Sequence, residues 1–275
     1  LQFFQRFSKF LLLLTLLACG AQEQEKTINY IEASSAAATK WSLSSFPLTF
    51  KSSQAFDPAM LIAIEDMQLE WNNASNRGVT FFNAPAATNE KNYSNINDYR
   101  DNEFGVYRLT EWPSAFPAPA LAVTQTYGQI RNYGTVFEYI ELFHADILVN
   151  EQHYDFSTSF QFGSYDFATV ILHELGHVLG LKHVEAKVDT VMLAGITKWT
   201  VINEVYAYDQ NYLDRNYFSD FIPTAMRSLS SIPYENESTE QEVIDETKVV
   251  VIHHYLMNDD REITTISPVL PLPRR

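Results

Sequence analysis

The sequence predicts an α+β domain. Three observations carry that reading: a helical apolar stripe near residue 60, several short alternating segments between residues 79 and 150, and a second helical pattern after residue 170. The chain has 275 residues, 46% of them hydrophobic and 14% aromatic. That is enough for one domain of roughly 150–200 residues with a core of its own, plus tails. The composition is globular rather than disordered.

The elements follow in order. Asp57-Pro58 reads as an N-cap and first helical residue. Met60, Ile64, Met67 and Trp71 then fall on one helical face. Val79–Phe82 reads as a strand, Phe104–Thr110 as the next, and Leu121–Thr126 alternates like a half-buried strand. Tyr127–Asn132 reads as a loop, and Phe143–Asn150 as another strand. Asn203–Tyr217 is expected to be a last helix. Residues 234–247 contain six acids and no base, the pattern of a solvated run. Val249–Leu256 is strand-like, with no role evident beyond edge pairing or docking, and Pro268–Arg275 is a Pro-rich terminus. No internal repeat is visible.

The most specific feature is His173-Glu174-Leu-Gly-His177-Val-Leu-Gly180-Leu-Lys-His183. In a helix His173 and His177 project from the same face, so two imidazoles can share one Zn²⁺. Glu174 follows the first ligand and can reach a water on the metal without taking a coordination place. Gly180 offers a left-handed turn that ends the helix and returns the chain. That turn delivers His183 as a third ligand. Three protein ligands leave a fourth tetrahedral position, the arrangement of a catalytic site rather than a structural one. A chance match to all five fixed positions is on the order of 1 in 10⁵ for average residue usage. An amphipathic core helix explains Leu172, Leu175, Val178 and Leu179, but not three histidines at these spacings.

With Met192 nine residues past His183 in Val188-Asp-Thr-Val-Met192-Leu-Ala-Gly195, the motif resembles the metzincin zinc endopeptidases. The short gap to this Met-turn methionine is most like the matrixin branch. Branches with extra cysteines around the third histidine are excluded, since the chain has one Cys, Cys19. Branches with a Tyr two residues after the methionine are disfavoured by Ala194. More loosely, Trp41–Phe50 resembles the opening segment and first strand of a matrixin-like domain, and Ala145-Asp-Ile147 the run before its active-site helix. The resemblance covers residues 41–200 and is sharp over 173–192. It implies a zincin-like fold, with a twisted mixed sheet, an edge antiparallel strand, an active-site helix and a Met-turn.

The resemblance also implies a zinc-dependent endopeptidase with one catalytic Zn²⁺ and Glu174 as general base. Protein or peptide substrates then lie extended along the edge strand, which they pair with antiparallel. Leu121, Ala122, Val123 and Thr124 are the expected edge, and Met192–Thr200 the wall beyond the scissile bond. His144-Ala-Asp146 and His153-Tyr-Asp155 resemble half of a second, structural zinc site, but Asp146 matches the strand rather than the zinc loop. Ca²⁺ stays open as a further ion, and His253-His254 read as incidental. The alternative function is a non-catalytic zinc-binding envelope lipoprotein, a binding or structural module. Glu174 discriminates, because a relative that had lost catalysis is expected to lose the base before the ligands.

Net charge is −15, or −17 without residues 1–18, which disfavours nucleic acid and anionic membrane surface as partners. Residues 1–18 read as a signal peptide: Arg6 and Lys9 precede an apolar run, Phe10–Ala18, too short to span a bilayer. Leu16-Leu17-Ala18-Cys19-Gly20 resembles a bacterial lipoprotein signal in which Cys19 is lipidated. Ordinary secretory cleavage is the competing reading. The residues that accompany an inhibitory cysteine latch are missing around Cys19-Gly20. The expected organisation is a signal peptide at 1–18, a Gln/Glu/Ser/Ala-rich flexible tether at 19–40, a catalytic domain at 41–220 and an acidic, partly disordered tail at 221–275. A monomer held to the outer membrane by lipid is expected, or a secreted one.

Overall fold

The computed structural model describes residues 38–132, 138–184, 188–218, 249–258 and 264–270. The expected signal peptide, Cys19, most of the tether, the acidic run and residues 271–275 lie outside the described residues.

Ten strands and three α-helices make up the described fold. The strands are β1 (Ala38–Trp41), β2 (Phe50–Ser53), β3 (Ala86–Thr88), β4 (Phe104–Leu109), β5 (Ala120–Arg131), β6 (Tyr139–Asn150), β7 (Phe156–Ser157), β8 (Tyr165–Asp166), β9 (Val249–Met257) and β10 (Thr264–Leu270). The helices are α1 (Pro58–Asn73), α2 (Phe167–Val178) and α3 (Ala207–Phe218). The main sheet runs β10-β9-β5-β6-β4-β2-β3, with β1 pairing the first part of β6; β7 and β8 form a separate short ladder. Strands β1, β2, β3, β4 and β6 pair in parallel, whereas β5 is antiparallel to both β6 and β9, and β9 to β10. This is the mixed α+β sheet the sequence predicts.

Helix α1 starts as expected. The Asp57 carboxylate accepts from Met60 N at 2.8 Å, and Pro58 occupies the first helical position, where its missing N–H costs nothing. Met60, Ile64, Met67 and Trp71 are all buried, in one cluster with Leu172, Leu175 and Leu179 from α2 and its exit. Trp71 Nε1 donates to Leu172 O at 2.9 Å and pins the two helices together. Along β6 the side chains alternate: Ala145, Ile147 and Val149 join that cluster, while Leu148 joins Tyr99, Tyr107 and Phe116 in a second one.

Several elements differ from expectation. Val79–Phe82 is not a strand; only Phe82 bridges Leu48. The amides of Phe81 and Phe82 donate instead to the Asn72 carboxamide, at 2.8 and 2.9 Å, which holds the segment against α1. The strand beside β2 is β3. Tyr127–Arg131 is not a loop but the second half of β5, with Asn132 in the left-handed region at φ 54°. A register shift between Tyr127 and Gly128 breaks the alternation there, which hides the strand from a period-two reading. Ala38–Lys40, placed in the tether, are strand β1. The last helix begins at Ala207 rather than Asn203.

The largest difference lies at the C-terminus. Residues 249–257 and 264–270, expected within a partly disordered tail, are strands of the main sheet. All described side chains of β9 are buried: Val250, Ile252 and Leu256 on the α2 side, Tyr255 and Met257 on the other. Apolar residues on both faces are the pattern of an internal strand. Consequently β5 is not an edge.

Candidate metal centre and peptide cleft

Helix α2 carries the motif through the floor of the domain. Asp166 caps it, accepting from Thr169 N at 2.8 Å. After Val178 the chain reaches Gly180 at φ 82°, where an added Cβ would lie 2.0 Å from Thr39 O. No other residue tolerates both the turn and the passing backbone of β1. Leu181 N bonds back to Gly176 O at 3.0 Å, and the returning chain brings His183 to the two helical histidines.

The three Nε2 atoms converge. His173–His177 is 2.9 Å, His177–His183 3.0 Å and His173–His183 3.2 Å. His173 Nδ1 donates to Val191 O at 2.7 Å, and His177 Nδ1 donates to Leu181 O at 2.8 Å. These bonds fix the tautomers of His173 and His177, leaving a lone pair on each of their Nε2 atoms. Burial pushes His173 down to about 4, and it drives His177 and His183 well below the ordinary histidine value. Neutral imidazoles aiming lone pairs at one point repel each other unless a cation lies between them. Edges of about 3 Å suit a tetrahedral ion with ligand distances near 2.0–2.1 Å. These three residues are the cluster of metal-ligating side chains found among the described residues.

Glu174 is fully buried beside them. Burial raises its carboxyl to about 8, and a hydrogen bond donated by the Thr124 hydroxyl to Oε2 works in the opposite direction. Oε1 is buried with no hydrogen-bond partner in the protein. A base with one oxygen held and the other unpartnered in the protein suits the predicted role.

Met192 is fully buried under the helix. An added Cβ on Gly176 would lie 2.4 Å from Met192 Sδ and 3.0 Å from Trp71, so the glycine between the ligands permits the close floor. Asp209 of α3 fastens the turn: its carboxylate accepts from Val191 N at 2.9 Å and from the Thr190 hydroxyl. Sequence reading missed Asp209. Its one signal was an acid on the buried side of the last helix.

Leu121, Ala122, Val123 and Thr124, expected to line an open substrate edge, are instead fully buried between β6 and β9. Strand β9 lies antiparallel along β5, with Thr124 opposite His254. On its other side Met257 N donates to Ala194 O at 3.0 Å, and Ile196 N donates to Met257 O at 3.1 Å. Within the range expected as the wall, Met192–Thr200, Ala194 and Ile196 hold the end of the chain's own C-terminal strand, whose remaining outer edge pairs with β10. His253 and His254 are not incidental: both are buried, and the His254 ring stacks on His177 at 4.2 Å with 10° between planes.

His144 and Asp146 form a buried pair at 2.7 Å, and the same imidazole nitrogen lies 3.0 Å from Tyr99 O. Gly105 N donates to the other Asp146 oxygen at 3.0 Å. The pair thus belongs to the packing of β4 against β6. His153 lies apart, its Nδ1 3.3 Å from the Asn150 amide nitrogen.

No curated protein matches the chain in sequence comparison. Residues 137–217, from β6 through the metal centre to α3, match the family model described as Matrixin. Three convergent imidazoles, a buried glutamate, a Met floor and that match agree, and together they support a metzincin-like domain of the matrixin branch around residues 137–217, with a centre suited to zinc.

Proposed function

We propose that this chain hydrolyses peptide bonds of extracytoplasmic proteins. The observation that carries the reading is the meeting of three histidine Nε2 atoms within 3.2 Å of one another beside the buried carboxylate of Glu174. His173, His177 and His183 would hold Zn²⁺, which supplies when bound a Lewis acid and a water of lowered pKa. Glu174 accepts the proton of the attacking water at a carboxylate oxygen and returns it to the departing amine. Thr124 orients that carboxylate. Strand β5 and the Ala194–Ile196 wall hold the peptide extended by main-chain hydrogen bonds. Cys19 anchors the protein to the cell envelope through lipid, consistent with the apolar run before it. Among the described residues no helix is long and apolar enough to cross a membrane.

The covered cleft favours a second reading, a zinc-binding module without catalysis. Zinc content and cleavage of an unfolded protein, measured for the parent and for Glu174→Ala, separate the two. Cleavage by the parent alone, with one zinc in each, establishes the peptidase. Zinc in both and cleavage in neither, even after the cleft is opened, favours the module. A folded parent without zinc rejects the site.

A further inference from the structure

The cleft alongside β5 is already filled: β9 lies in it, flanked on its other edge by β10 over Val249–His254 and by the Ala194–Ile196 wall at Met257. We propose that the C-terminal segment Val249–Met257 is a tethered, substrate-like occupant of this cleft, and that the chain is latent until the segment leaves. The inference rests on the peptidase reading for the meaning of latency, but not for the occupancy itself.

Four observations support it. The segment lies as an extended peptide would: it pairs antiparallel with β5 from Gln129 to Ala120, its last residue, Met257, exchanges two hydrogen bonds with Ala194 and Ile196, and the rest of its outer edge, Val249–His254, pairs with β10, which belongs to the same C-terminal segment. Its register is centred on the site. Thr124 and His254 are directly opposed, so their side chains share a face. On that face Thr124 bonds Glu174, and the His254 ring lies flat against His177. Leu256, two residues on, is buried in the same cluster as Leu175 and Ile196. Finally, Glu174 and His177 have no exposed surface with β9 in place, while His183 is partly exposed.

A tethered segment competes at an effective concentration of about 1 mM. Against a free peptide that binds the open cleft at 10 μM, occupancy of that strength weakens binding roughly 100-fold. The segment can leave without loss of any residue if the connection before it is cut.

The test uses the full chain with a site for a sequence-specific protease inserted between residues 240 and 241, in a Glu174→Gln background. A labelled peptide with the sequence of residues 249–258 is titrated before and after cutting, with and without zinc, and binding is followed by fluorescence anisotropy. Met257→Pro, which removes the donor to Ala194 O, provides a second route to an opened cleft. The expected result is weak binding to the intact chain and binding tighter by about tenfold or more after cutting. Equal binding to intact and cut chains overturns the proposal. So does absence of binding to both opened forms while circular dichroism shows them folded. Restoring Glu174 separates the two readings. Peptide binding gained on opening with no cleavage of an unfolded protein rejects the peptidase and leaves the occupant. Cleavage by the intact chain as fast as by the cut one rejects latency.

Discussion

Thr124 shows what a single residue contributes that a motif does not record. Its hydroxyl is the one hydrogen-bond donor to the Glu174 carboxylate among the described side chains. Burial holds that carboxyl up at about 8, and the Thr124 bond opposes the rise. Thr124→Val keeps the shape and removes the donor, so the Glu174 value moves higher still. A general base must be ionised, so the acidic limb of the kcat/KM profile of the opened enzyme moves up by about one pH unit. Zinc content should stay unchanged, and an unmoved limb would show that Thr124 does not act through Glu174. Gly176 gives a second residue-scale prediction. A methyl group there meets Met192 Sδ at 2.4 Å inside a filled core, so Gly176→Ala should cost about 2 kcal/mol in denaturant unfolding and weaken zinc in a chelator competition. The ligands, Glu174, Gly180 and Met192 were all readable from sequence because they lie within twenty consecutive residues whose spacing maps onto one helix and one turn. His254 was not, because it lies 71 residues past His183 and meets the site only through strand pairing.

At the scale of elements, the sheet's parallel half is tied by one carboxylate. Glu103, just before β4, receives hydrogen bonds from Lys51 of β2, Thr88 of β3 and Lys91. Burial alone would raise it, but those three donors bring it down to about 2. A depressed carboxyl adds stability that is complete above its unfolded value near 4.5 and is lost as pH falls toward 2. Glu103→Gln should therefore cost about 2 kcal/mol at pH 7, and the parent should lose its advantage over the variant between about pH 4.5 and pH 2 in urea titrations. A variant whose stability parallels the parent throughout that window would show that the bonds are worth little. Elements with a clean period were legible: α1, α2, β4, and the centres of β5 and β6. The second half of β5 was lost to the register shift at Tyr127–Gly128. Strand β3 was too short, with its Ala86-Ala87-Thr88 carrying no alternation.

At the scale of the whole molecule, the last strands in sequence complete the sheet next to the metal centre, so metal and fold are coupled. Three imidazole Nε2 atoms meet within 3.2 Å of one another, a ready site for a cation, and the folded state alone brings them together. Zinc at 1,000 times its dissociation constant stabilises by about 4 kcal/mol. For a domain of this size each kcal/mol moves the midpoint of thermal unfolding by about 2–4 °C. Chelation should therefore lower Tm by roughly 10 °C, and stoichiometric Zn²⁺ should restore it. The shift should be as large in Glu174→Gln, since that residue takes no coordination place, and should collapse in His183→Ala, which removes one corner of the triangle. A Glu174→Gln shift as small as that of His183→Ala would make the glutamate a ligand and overturn its assignment as base. The opposite is expected, because the ligand atoms that converge are the three histidine nitrogens without Glu174, whose carboxylate is held by the Thr124 hydroxyl instead.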